Sequence, residues 1–178
     1  AGDVMERVRA NRPRVHCITN AVAQTYTANV LLAAGAIPSM TIAAKEIVPF
    51  VQRADALLVN LGTFDTERQK ASLAAIAAVN KLKKPWVLDP VFIDRSPPRA
   101  AFARRLVAKS PGAIRLNRAE FEALSGVAFG ERALGQYAAK HRTVLGMTGE
   151  ADHVRDAKRN AIIDRKSTRL NSSHTDIS

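Results

Sequence analysis

One cysteine, Cys17, stands among 178 residues, so the chain forms no internal disulfide and no multi-cysteine zinc site. His16, His141 and His153 show no partner spacing that would make a metal centre. Aromatic residues make up 5% of the chain, and none alternate with the basic residues as a single-strand nucleic-acid platform requires. No stretch approaches the roughly 18 consecutive apolar residues of a membrane helix. No basic-then-apolar leader opens the chain, which begins on Ala1. The glycines never fall as G-x-G; Gly146 and Gly149 come nearest, three apart. These absences leave a cytoplasmic, reducing home and no membrane partner as the expectation.

What is present is an apolar fraction of 47%, rich in alanine. That composition suits a soluble α/β domain with a sizeable core. The formal net charge is +11, spread over helix faces at Arg7, Arg9, Lys81, Lys83, Lys84, Arg104 and Arg105. Such a balance serves either nucleic acid or an anionic small substrate; the missing aromatics favour the second, and no nucleic-acid partner is expected.

Short β-like runs alternate with amphipathic helices. RVHCI, IPSM, ALLVN, PWVLD, AIRLN and TVLGMTG read as strands, and near-continuous apolar runs such as ALLVN suit buried parallel ones. Asp65 and Asn117 are placed to cap helices, Gly35 and Gly126 to stop them, and Pro49 falls in a first turn. Alternating strand and helix predicts a mainly parallel sheet with helices on both faces. In such sheets ligands collect at the carboxyl ends of the strands. Thr19, Asn20, Asn60, Asp89, Asn117 and Thr148 fall there. Each is also an ordinary cap or turn former; as a convergent rim they mark a ligand site.

Five stretches occur in order: VHCITNAVAQTYTANVLLAAGAIPSM, ALLVNLGT, WVLDPV, IRLNRAEFEAL and GMTGEADHV. Together, from about Arg14 to about Val154, they resemble the hydroxyethylthiazole kinase family of the ribokinase-like superfamily. The resemblance implies a ribokinase-like fold, ATP-dependent phosphorylation of the primary alcohol of hydroxyethylthiazole in thiamine salvage, a magnesium ion, and a homotrimer with active sites between subunits. It matches Met40 to the methionine that lies against the thiazole, a role that suits a soft thioether; a core methionine is the plain alternative. Asn20, in the ITN turn, either orients the substrate or only caps a helix. Arg115, Thr148, Gly149 and Asn117 fall on the nucleotide side. The guanidinium fork of Arg115 suits phosphate oxygens, and its place between Ile114 and Leu116 predicts a partly buried charge in need of a partner. Asp89 and Glu120 are the acidic candidates for magnesium, held through waters, or simply complement a helix amino end. Cys17 lies within a strand, where a buried inert thiol is expected.

The sequence departs from the family pattern in two places. After LDPV the small residues are replaced by FIDRSPPR, so Phe92 and Ile93 must send the loop along another path, while Arg99 is kept. Leu116 stands where a glycine is common. The family's G-x-G-[CD] anion hole and general base have no counterpart here. The closing run DRKSTRLNSSHTDIS resembles the translation of a sequencing-library adapter. Residues 1–163 are therefore expected to be the N-terminal portion of one kinase domain. Residues 164–178 are expected to be a disordered, non-native tail, on a fragment that lacks activity. Two alternatives stay open: another small-alcohol kinase of the same superfamily, and a non-catalytic basic binding module.

Overall fold

The computed structural model describes residues 2–164. The expected adapter-like tail lies outside them except for Asp164, which closes the last strand. Several helix ends sit where a side chain or glycine satisfies terminal backbone groups. α1 (Gly2–Asn11) leads into β1 (Arg14–Ile18). Asn20 caps a single 3-10 turn, Ala21–Ala23, which runs into α2 (Gln24–Ala34). α2 stops at Gly35, whose φ of 95° is the left-handed conformation glycine adopts freely. α3 (Ile47–Arg53) takes Pro49 in its first turn, and α4 (Thr66–Lys81) starts on Asp65, whose carboxylate accepts the Arg68 N–H. α5 (Pro97–Val107), α6 (Arg118–Ser125) and α7 (Glu131–His141) complete the helices among the described residues.

The remaining strands are β2 (Ile37–Ser39), β3 (Ala56–Asn60), β4 (Trp86–Asp89), β5 (Ala113–Asn117), β6 (Val144–Thr148), β7 (Ala151–Arg155) and β8 (Asn160–Asp164). They form one sheet in the order β2-β1-β3-β4-β5-β6-β7-β8. It is parallel through β6, and β7 and β8 are then added antiparallel. This final hairpin was not predicted. ADHVR has charged residues where an apolar alternation would show, and its turn is built locally by the Asp156 carboxylate, which accepts the N–H groups of Lys158 and Arg159.

From β1 the chain steps outward to β2, then returns across β1 to β3 and continues in one direction. Right-handed crossovers therefore put α2 on one face and α3 to α7 on the other. The second face is densely packed. Ile18, Leu57, Val59, Trp86, Leu88, Ile114, Leu116, Leu145 and Met147 pack with Ile76 and Val79 of α4, Leu106 of α5, Phe121 of α6 and Leu134 of α7, each 3% exposed or less. Each such side chain contributes roughly 1.5–3 kcal/mol of burial. On the opposite face Cys17 is fully buried beneath the α1–α2 side, and burial raises its thiol pKa to about 11, so it is inert as expected. Further along that face Leu58, Val87, Ala113 and Val144 are half-buried, and Arg115 and Asn117 are exposed.

Candidate active site

β1 and β3 are adjacent, yet the segments leaving their carboxyl ends run to opposite faces. The crevice outside such a reversal is where open α/β sheets receive ligands. Asn20, Asn60, Gly62 and Thr63 occupy it. Asn20 Oδ1 accepts the Val22 N–H (3.1 Å) and the Thr63 hydroxyl (3.2 Å), and Thr63 Oγ1 accepts the Ala21 N–H (2.9 Å). Asn60 Oδ1 accepts the Gly62 N–H (2.8 Å), while its Nδ2 donates to Asp89 Oδ2 (2.7 Å). A Cβ on Gly62 would fall 2.8 Å from Asn20 Cβ and 2.9 Å from Asn60 Oδ1. Only glycine lets the two asparagines come this close.

Strand register carries the network onward. Asn60 pairs with Asp89 across β3 and β4, and Arg115 Nη1 donates to Asp89 Oδ1 at 3.4 Å. Burial raises the Asp89 pKa, and Arg115 and Asn60 oppose that shift by favouring the carboxylate. Arg115 has the expected partner but not the expected burial: its side chain is 54% exposed. Strand alternation turns Ile114 and Leu116 into the core and Arg115 onto the open face. One strand further, Asn117 pairs with Thr148. Thr148 and Gly149 line a cleft of about 370 Å³ together with Arg118, Phe129 and His153.

Asn117 and Glu120 form a reciprocal cap on α6: Asn117 Oδ1 accepts the Glu120 N–H and Glu120 Oε2 accepts the Asn117 N–H, both at 2.9 Å. Glu120 Oε1 takes the Phe92 N–H at 3.0 Å, and the residue is 4% exposed. Both oxygens of this expected magnesium ligand are thus engaged by backbone. Of the two acidic candidates, Asp89 has its oxygens on side chains of the rim, Asn60 and Arg115, and not on backbone. Among the described residues no group of three or more His, Cys, Asp or Glu side chains converges on a metal position. One carboxylate at a strand end still fits magnesium, which binds through one or two carboxylates, retained waters and substrate phosphates.

Met40 is half-buried just beyond β2. Its neighbours in sequence are both tied to the buried His16 ring: Nδ1 accepts the Ser39 hydroxyl (2.8 Å) and Nε2 donates to the Thr41 carbonyl (3.0 Å). Burial holds the His16 pKa below its ordinary value. His16, Gly62 and Thr63 support the site although sequence reasoning did not single them out. The partners of His16 and Thr63 lie 23 to 43 residues away, and the closeness of Gly62 to Asn20 appears only in the fold, so no local spacing marks them.

Residues 5–171 match the family model described as the hydroxyethylthiazole kinase family. A probable hydroxyethylthiazole kinase of Agrobacterium fabrum is 45% identical over 163 residues, covering 92% of this chain and 61% of the relative. The hydroxyethylthiazole kinase of Yersinia enterocolitica is 40% identical, over 96% of this chain and 72% of its own length. The solved hydroxyethylthiazole kinase structure from Pyrococcus horikoshii superposes with a TM-score of 0.85 at 34% identity, over 90% of this chain and 65% of that one. A ribokinase-like superfamily protein of Enterococcus faecalis shares the fold at TM-score 0.67 and 14% identity. The chain spans less than two thirds of the Agrobacterium relative's length.

Proposed function

The chain belongs to the hydroxyethylthiazole kinase family, and on that premise we propose that its strand-end rim binds hydroxyethylthiazole and ATP for phosphorylation of the thiazole's primary alcohol in thiamine salvage. The observation that carries this reading is the linked run of polar groups from the strand reversal outward, Asn60 to Asp89 to Arg115, with the Asn20–Thr63 pair beside it. Met40 packs against the thiazole ring, held in place by the His16 bonds to its two neighbours. Asn20, its amide fixed by Thr63, orients the alcohol. Arg115 offers its exposed fork to the ATP phosphates. Thr148 supplies a hydroxyl, Gly149 permits close approach, and Asn117 caps α6 so that its amino end faces the same rim. Asp89 is the carboxylate that would hold Mg2+, and Glu120, its oxygens taken by backbone N–H groups, reaches the loop that follows it. When bound, such an ion would supply neutralisation of the charge that develops on the phosphates.

The sequence contains no G-x-G, so the anion hole and general base are assigned to a segment outside these residues. This chain contributes binding and orientation. A cytoplasmic location is part of the same proposal; among the described residues no helix is long and apolar enough to cross a membrane. A homotrimer is supported by α2, which buries none of its residues. Val22 in the preceding 3-10 turn and Tyr26 and Val30 on α2 are 91%, 74% and 49% exposed. A second copy is the partner proposed to cover them.

Calorimetric titration of the chain with hydroxyethylthiazole and with Mg2+·ATP tests the assignment. Both should bind; Met40→Ala should weaken the thiazole alone and Arg115→Ala the nucleotide alone. Tighter binding of a pyrimidine or another vitamin-like alcohol would favour a different kinase of the superfamily. Binding of neither ligand, with salt-dependent DNA binding instead, would overturn the kinase reading.

A further inference from the structure

The loop after Asp89 holds a peptide group gripped from both sides by opposite charges. The Val91 carbonyl accepts Arg99 Nη1 at 3.0 Å, and the N–H of the same peptide unit, from Phe92, donates to Glu120 Oε1 at 3.0 Å. Phe92 sits at φ 58°, the left-handed region that residues with a Cβ rarely occupy. Phe92 is 54% exposed, whereas Ile93 is 2% exposed and anchors the loop in the core. The grip is preformed at both ends. Glu120 is fixed by the α6 cap. Arg99 stands in the first turn of α5 with its guanidinium 5.5 Å from the centre of the Phe64 ring, and its Nε is buried with no hydrogen-bond partner among the described residues. The Asp89 carbonyl accepts the N–H groups of Leu61 and Val91, both at 3.0 Å, which connects the gripped peptide to the end of β4.

We infer that Arg99 and Glu120 are positioning residues that lock the Val91–Phe92 peptide and through it aim the Asp89 carboxylate at the metal-nucleotide position. Without the grip, the left-handed Phe92 favours a flip of this peptide, which turns its carbonyl and N–H over and releases the link to Asp89. The carboxylate of Glu120 is needed as a double acceptor of backbone N–H groups, not as a ligand to the ion. The consequence for Mg2+·ATP rests on the kinase reading; the peptide lock does not.

The test uses the full 178-residue chain, with amide hydrogen exchange at Phe92 read by NMR and the Mg2+ midpoint of ATP binding read by calorimetry. Glu120→Gln and Arg99→Met should each speed Phe92 exchange at least tenfold, and the double variant should go no faster than the faster single. Arg99→Lys should keep most of the protection, because an ammonium still donates to the Val91 carbonyl. Glu120→Gln and Arg99→Met should also raise the Mg2+ midpoint by similar factors. If Glu120→Gln moves the midpoint and Arg99→Met does not, Glu120 is a metal ligand and the inference fails. Unchanged Phe92 exchange in the variants also refutes it. If Glu120→Gln does not fold, the contrast between Arg99→Met and Arg99→Lys decides by the same exchange readout. Coupled exchange effects in a chain that binds no ATP would uphold the lock and sink the kinase reading instead.

Discussion

The two faces of this sheet are made from the same strands and do opposite things. Within β5, Ile114 and Leu116 turn toward α5 to α7 and are fully buried, while Arg115 and Asn117 turn the other way and are exposed. β3 and β4 repeat the division: Val59 and Leu88 are buried, and their successors Asn60 and Asp89 meet across the open face. A period of two therefore allots stability to one side and the proposed ligand contacts to the other within single strands of four or five residues. Neighbours in sequence should respond to mutation in unlike ways.

The largest effect is expected on the packed face. Leu116→Ala should cost about 2–5 kcal/mol of folding free energy, seen as a lowered urea midpoint. Gly62→Ala comes next, since its Cβ would press on Asn20 and Asn60. About 1–3 kcal/mol of strain should appear both in the urea midpoint and in weaker thiazole binding. Arg115→Ala, one residue from Leu116, should cost about 1 kcal/mol of stability, since the guanidinium is half exposed and Asn60 still donates to the more buried Asp89 carboxylate. Its ATP affinity should nonetheless fall tenfold or more by calorimetry. Equal stability losses for Leu116→Ala and Arg115→Ala would dissolve the division between faces.

Smaller still is the effect of pH through His16. Burial favours its neutral ring, so its folded pKa lies below the ordinary 6.5. The unfolded chain then binds the proton more readily, and stability that is full above about pH 6.5 is lost progressively as pH falls below it. Urea midpoints between pH 7.5 and 5 should show the decline, and His16→Gln should flatten it. The smallest change in protomer stability is expected for Tyr26→Glu on α2, which should leave the urea midpoint nearly unaltered while abolishing the proposed trimer in sedimentation.

Much of this division was legible in the chain. The apolar runs marked the six parallel strands, and Asp65, Asn117, Gly35 and Gly126 marked helix ends, because those signals are local. β7 and β8 were hidden because their pairing follows from a turn built by Asp156 and not from apolar alternation. Arg115 was expected to be partly buried because its neighbours are; the alternation that buries them is what exposes it. Glu120 carried two readings in sequence, metal ligand or helix-end carboxylate. Its bond to Phe92, 28 residues earlier, could be seen only once the fold brought the β4–α5 loop against α6. His16 lacked metal-site spacing, and its actual task, holding Ser39 and Thr41 on either side of Met40, depends on the β1–β2 register.

The strand reversal at β1 also sorts the proposed contacts by position in the chain. Asn20 and Met40 arrive before β3 begins, and Asp89, Arg115 and Thr148 arrive after it ends. On the proposed assignment, a change of acceptor, from one small alcohol to another, can therefore accumulate within residues 19–41 while the proposed cradle of the phosphate donor is inherited intact.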